Sequence, residues 1–281
     1  LQTDNKEIET LRIASLDIGG GTTDLMISTY SINKNPGSIL QLEQNFREGF
    51  RSAGDDIIHN IISQQLLVQI AQNLADKNGL TINETKQKLK KLFSDDGGNE
   101  WNAQKRHQRK LFTNQVLTPL AYKLLNLYEK LGNDSNLETT FSFSSLFDNH
   151  QAPQELLDFF DTELRGSSID CSITEMEFVV KYDSFNKTIR EVINQNLKVL
   201  SNIIKHFNCN FLLITGRPSR YPVIKEILLE ELPVLPHRMI FMHDYTVGDW
   251  YPFVETENKI GDPKTTVVVG ALLCSMAENM Q

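Results

Sequence analysis

The sequence predicts an α/β protein: a mixed sheet with helices on both faces and a mostly helical insertion. Three observations lead there. Apolar–polar alternation on both sides of a glycine-rich turn reads as a hairpin near the start of the chain. Helical spacing of apolar residues then takes over and dominates the middle. From residue 183 onward helix and strand alternate, an order that lays helices against a sheet.

The elements follow in order. "LRIASLD", residues 11–17, reads as a strand entering a core, and "TDLMISTY", residues 23–30, as its hairpin partner. "SINKNPGS" is turn chemistry, and "ILQLEQNF" is a third strand. "AGDDIIHNIISQQLLVQIAQNLADKNG" spaces Ile58, Ile61 and Ile62 as a helix does, with Gly79 marking its end. Residues 82–93 and roughly 103–131 are expected to be helical. Residues 132–155, rich in Asn, Asp, Ser and Phe, are expected to be loop. A short helix and one or two strands are expected over 156–182, then a long amphipathic helix over 183–208. "CNFLLITG" is a buried strand ending at Gly216, "SRYPVIKEILLEEL" a helix, "RMIFM" a strand and "DPKTTVVVGALLCSMAENM" a closing helix. The expected organisation is residues 1–79 and 181–281 as two parts of one lobe, with residues 80–180 inserted between them.

Composition bounds the function. The 281 residues are 40% hydrophobic and 23% charged, enough for one large domain or two small ones. A net charge of -8 argues against sequence-independent binding to nucleic-acid backbones, which needs a basic footprint. Cys171, Cys209 and Cys274 are odd in number and widely spaced, which suggests neither a disulfide framework nor a zinc site and points to the reducing cytoplasm. No apolar run reaches the ~20 residues that a membrane span needs, and no signal peptide is visible. The chain opens on Leu1 and a polar stretch, so it is expected to be part of a longer protein.

The chemistry concentrates in "LDIGGGTTDL". Gly19, Gly20 and Gly21 let a backbone approach a phosphate closely and turn its N–H groups toward it. Thr22 and Thr23 add hydroxyl donors. Asp17 and Asp24 would repel a bare phosphate, whereas a bridging Mg²⁺ takes carboxylate, water and phosphate oxygens together. The stretch therefore reads as a grip for a magnesium nucleotide. The plainer alternative is a tight hairpin that needs positive φ, for which one or two glycines would do.

"DIGGGTTDL" resembles the second phosphate-binding motif of the actin, DnaK-type chaperone and sugar-kinase superfamily, where it sits in a hairpin between the first two strands of the second lobe. "AGDDIIHNII" resembles the helix start that follows it there. "LLITGRPSRYPVIKEIL" is similar to the adenosine motif, and "DPKTTVVVGALLCSM" to the closing helix. More narrowly, "ITGRPSR", "GDWYPF" and "DPKTTVVVGALLC" resemble the SrfB family of bacterial virulence-associated proteins. The resemblance implies a ribonuclease-H-like, actin-like ATPase lobe that binds ATP with Mg²⁺. Asp17 would hold the metal through water or orient the attacking water. Gly19, Gly20, Gly21 and Thr22 would hold the phosphates, and Asp24 would support the hairpin or the metal shell. Gly216 and Arg217 would lie at the adenosine, and Arg109 and Lys110 at its ribose and base.

Two departures qualify that picture. The adenosine motif of the chaperones has two adjacent glycines, whereas here Gly216 is followed by Arg217 and Pro218. Arg217 could stack on adenine or fill its place. The superfamily also binds nucleotide between two lobes, each with a phosphate hairpin, and this sequence contains one. The implied partner is an N-terminal lobe of the same parent chain, and this chain alone is expected to bind ATP weakly or undetectably, without turnover.

Other features have plainer readings. "QKRHQRK", residues 104–110, is also what a solvated helix face looks like. Tyr245, Trp250, Tyr251 and Phe253 could meet a protein partner or pack their own loop down. His107 and His243 have no spaced mate for zinc. Ser219 lacks the glycine-flanked elbow of a serine hydrolase. Two rival functions stand beside the ATPase reading: a nucleotide-sensing or nucleotide-free interaction scaffold, and a metal nuclease built on Asp17 and Asp24, which the acidic surface and glycine triplet oppose.

Overall fold

The computed structural model describes residues 8–33, 41–51, 54–93, 102–131, 138–147, 152–166, 169–254 and 256–279. Two compact units divide the chain: residues 1–56 with 190–281, and residues 57–189. The second unit takes in helical segments that flank the 80–180 insertion read from the sequence.

The first unit is built on a five-stranded sheet. Strands β1 (Ile8–Ile18), β2 (Thr23–Asn33) and β3 (Gln41–Phe50) form an antiparallel meander, and β6 (Phe211–Thr215) and β7 (Met239–Phe241) add to the other side of β1 in parallel. The order is β3-β2-β1-β6-β7, so β1 is central and antiparallel to one neighbour and parallel to the other. Register aligns the apolar alternation into two rows across the sheet. Ile27, Ala14, Leu212 and Met239 make one, and Leu25, Leu16, Ile214 and Phe241 the next. All eight are buried. The mixed sheet and the expected strands over 11–30 are thus present.

β3 is exposed along most of its length and carries Glu43, Arg47 and Glu48, which suits an edge that must not pair with another chain. Helix α8 (Tyr182–Phe207) precedes β6, and α9 (Pro222–Glu231) makes the crossover from β6 to β7. Val223, Ile224, Ile227 and Leu228 are the buried face of α9. Arg190 fastens α8 to α9 through Glu226 and Glu230, at 2.9 and 2.8 Å. Helix α10 (Thr265–Asn279) closes the unit.

The second unit is mostly helical. After α1 (Gly54–Asn60) a π-helical segment, Ile61–Leu66, leads into α2 (Leu67–Asn78), and α3 (Ile82–Phe93) follows. Helix α4 (Ala103–Phe112) likewise passes through a π-helical segment, Thr113–Leu117, into α5 (Thr118–Leu131). Phe112 and Phe160 stack at 4.9 Å in the core, the latter from α7 (Gln154–Arg165). The loop expected over 132–155 is corrected in part: β4 (Glu138–Ser142) and the short helix α6 (Phe143–Leu146) lie within it, and α7 begins at Gln154. β4 pairs antiparallel with β5 (Glu177–Lys181), and a five-residue strand whose partner lies far along the chain leaves almost no local signal.

Candidate functional site

The carboxyl ends of β1, β6 and β7 meet one edge of the sheet, as their parallel pairing requires. Loops outside the carboxyl ends of strands are where open α/β sheets gather ligands. Asp17 pairs with Asp24 on one side and with Thr215 on the other. The hairpin tip, Gly19 to Thr22, and the turn at Gly216 are therefore neighbours although nearly two hundred residues separate them.

Backbone chemistry fixes the hairpin. The Gly19 amide donates to the Thr22 carbonyl at 2.8 Å. The Gly54 and Asp55 amides, at the start of α1, donate to the carbonyls of Gly19 and Gly20 at 2.9 and 2.7 Å. A trans peptide points its C=O and N–H in opposite directions. Holding those two carbonyls against the helix start therefore turns the amides of Gly20 and Gly21 the other way. Among the described residues the amides of Gly20, Gly21 and Thr22 have no backbone acceptor. Successive outward amides of this kind suit an anion.

The glycines are not there for positive φ. Among the described glycines that conformation belongs to Gly79, Gly216 and Gly261. A Cβ on Gly19 would stand 2.9 Å from the Thr22 carbonyl oxygen, and one on Gly20 3.3 Å from Asp55 Oδ1. A Cβ on Gly21 would meet only ordinary contact, Asp55 Oδ2 at 3.9 Å. The fold itself thus gives no reason for glycine at residue 21. Gly54 is needed for close approach, since its Cβ would lie 3.0 Å from Pro218 and 3.1 Å from the Gly19 oxygen.

Gly216 has φ 90°, and a Cβ there would collide with the Ile18 carbonyl and stand 2.7 Å from Asp17 Oδ1. The Ser219 hydroxyl donates to the Gly216 carbonyl at 2.7 Å, and Ser219 is 1% exposed, so it braces the turn rather than facing a substrate. Arg217 is half-buried in the 3-10 turn Arg217–Arg220.

Charge at the site is set by burial and neighbours. Burial and the Asp24 charge hold the Asp17 carboxyl above its ordinary range, and Lys264 opposes them. Asp24 is exposed, accepts from the Thr22 hydroxyl at 2.8 Å, and leans over Gly49, where a Cβ would come within 2.8 Å of it. Thr23 is buried within β2. The segment from Gly261 to Lys264 reaches this edge through Arg220 Nη1 to the Gly261 carbonyl, 3.2 Å, and Thr215 Oγ1 to the Pro263 carbonyl, 3.3 Å.

Asp17, Asp24, the glycine hairpin, Thr22 and Gly216 are thus brought to one place. Arg109 and Lys110 lie on α4 in the other unit, half-buried and exposed respectively. Sequence reasoning missed Gly54 and Asp55 as the clamp and Lys264 as the cation whose charge is felt at Asp17. The first pair had a signal in a glycine followed by two aspartates at a helix start; Lys264 had none beyond its place before α10. Tyr251 packs with Val247, Ile260 and Val269, while Trp250 and Phe253 are largely exposed. Among the described residues no group of three or more His, Cys, Asp or Glu side chains is arranged to hold a metal ion, and no helix is long and apolar enough to cross a membrane.

Fold and site together define a mixed α/β protein with a clamped glycine hairpin and a carboxylate pair at the carboxyl edge of its sheet. The chain belongs to the SrfB family: the model for virulence factor SrfB matches residues 1–281. A search among curated proteins finds no match.

Proposed function

We propose that this chain is the second lobe of an actin-like, ribonuclease-H-like ATPase domain and supplies the hairpin side of a Mg-ATP site. The observation that carries the reading is the pair of outward amides at Gly20 and Gly21, set beside Asp17 and Gly216. A phosphate would accept from those amides and from Thr22. Asp17 and Asp24 would hold Mg²⁺ with waters and phosphate oxygens completing its shell. A raised carboxyl paired with a second one is the arrangement that a cation relieves. The adenosine would lie toward Gly216 and Arg217. Phosphoryl transfer depends on positioning and electrostatics. A pocket normally buries ~70–90% of a small ligand. The second hairpin and the other wall would come from the N-terminal lobe of the parent chain, in the cytoplasm.

Amide-resolved NMR of the chain titrated with Mg-ATP tests this. Shifts at Gly20, Gly21, Thr22 and Gly216 are expected, with a dissociation constant on the order of 1 mM. Gly21→Ala should fold like the parent and lose them. No shift at millimolar nucleotide, or shifts confined to other residues, would overturn the assignment.

A further inference from the structure

The helical unit contains a half-open groove of about 420 Å³ that the nucleotide reading does not use. Its wall is apolar: Ile62, Leu67, Val68, Leu89, Phe93 and Leu117. Its polar lining is Lys86, Lys90 and His59 with the hydroxyls of Ser63 and Thr113, and no carboxylate is among the lining residues. In a chain of net charge -8 that is a local reversal of sign.

The groove is also where both π-helical segments lie. The Leu67 amide donates to the Ile62 carbonyl, and the Thr118 amide to the Thr113 carbonyl, each skipping one residue more than an α-helix does. Ile62, Leu67 and Thr113 are all lining residues. π-Helical turns occupy well under 1% of residues in globular proteins and are frequent at functional sites. Two of them on one groove are a second observation beside its shape. On α3, Lys86, Leu89, Lys90 and Phe93 fall at helical spacing, so that apolar wall and cationic rim share one face.

We propose that this groove binds a small amphipathic carboxylate, a medium-chain fatty acid. The acyl chain would lie along the aliphatic wall and the carboxylate at Lys86 and Lys90. The volume falls in the ~300–1,000 Å³ range of small-ligand pockets, and both lysines are exposed at the rim without an ion-pair partner among the described residues.

Calorimetric titration of the whole chain with octanoate, beside neutral octanol, tests it. Octanoate should bind more tightly than octanol. Lys86→Glu with Lys90→Glu should weaken octanoate by about tenfold and leave octanol unchanged. Ser63→Trp, at an exposed position, should fill the groove and remove both. Absence of octanoate binding, indifference to the lysine reversal, or octanoate binding that survives in a folded Ser63→Trp chain would each overturn the proposal. Should Ser63→Trp not fold, the surface lysine pair decides alone. None of these outcomes depends on the nucleotide site.

Discussion

Gly216 and Gly270 should respond in opposite ways to the same added methyl group. Gly216→Ala forces a side chain into φ 90° and against the Ile18 carbonyl, so a loss of about 3 kcal/mol or more is expected in urea unfolding. Gly270 sits inside α10 with nothing within 4 Å of a Cβ, so Gly270→Ala should gain roughly 0.5–1 kcal/mol. Asp17 gives a pH-dependent case. Its folded pKa lies above the unfolded one, so the native state holds its proton more tightly and the ionised form is a cost. That cost is present at neutral pH and disappears as pH falls through the raised folded value. Asp17→Asn should therefore be more stable than the parent at neutral pH, with the difference shrinking on acidification. Equal stability at pH 7 would refute the account.

Among the elements, α2 is tied to its neighbours by two side-chain amides that each make a pair of hydrogen bonds to the backbone of one residue. Gln69 donates to the Val179 carbonyl at 2.9 Å and accepts from the Val179 amide at 2.6 Å. Asn78 does the same for Asp170, at 2.9 and 2.7 Å. The Gln69 pair satisfies β5 where helix and strand meet. Gln69→Ala should cost about 1–3 kcal/mol, because it strands two part-buried backbone groups. In the core of the same unit, Phe160→Ala removes the ring stacked on Phe112 and should cost about 3–5 kcal/mol. Cys171 is buried nearby, where burial and the Asp161 carboxylate hold its thiol protonated, so it should resist alkylation in the folded chain while Cys274 reacts.

For the whole molecule the decisive measurement is turnover. If the chain supplies, as proposed, one of two phosphate hairpins, it should by itself show no steady ATP hydrolysis, and Asp17→Ala should leave that baseline unchanged. Steady hydrolysis abolished by Asp17→Ala would mean that the chain carries a complete catalytic site.

Much of this architecture is legible in the residues themselves. The alternation around Leu16 and Leu25 and the helix over 54–78 are local patterns whose period declares them. The order β1 to β3, then β6 and β7, follows from their sequence. β4 escapes such a reading because "ETTFS" is short, and its stabilisation comes from β5, dozens of residues later. At the candidate site the glycine triplet and both aspartates announce themselves by residue type. Gly54, Asp55 and Lys264 do not, because their roles depend on which groups the fold carries to them. The amino-acid sequence by itself determined the sheet class and the hairpin, since periodicity and glycine content act within a few residues. Only the tertiary structure decided which way the hairpin amides turn, which cation's charge is felt at Asp17, and that two π-helical turns line one groove. Those are properties of hydrogen bonds and fields between segments distant along the chain, and no local pattern records them.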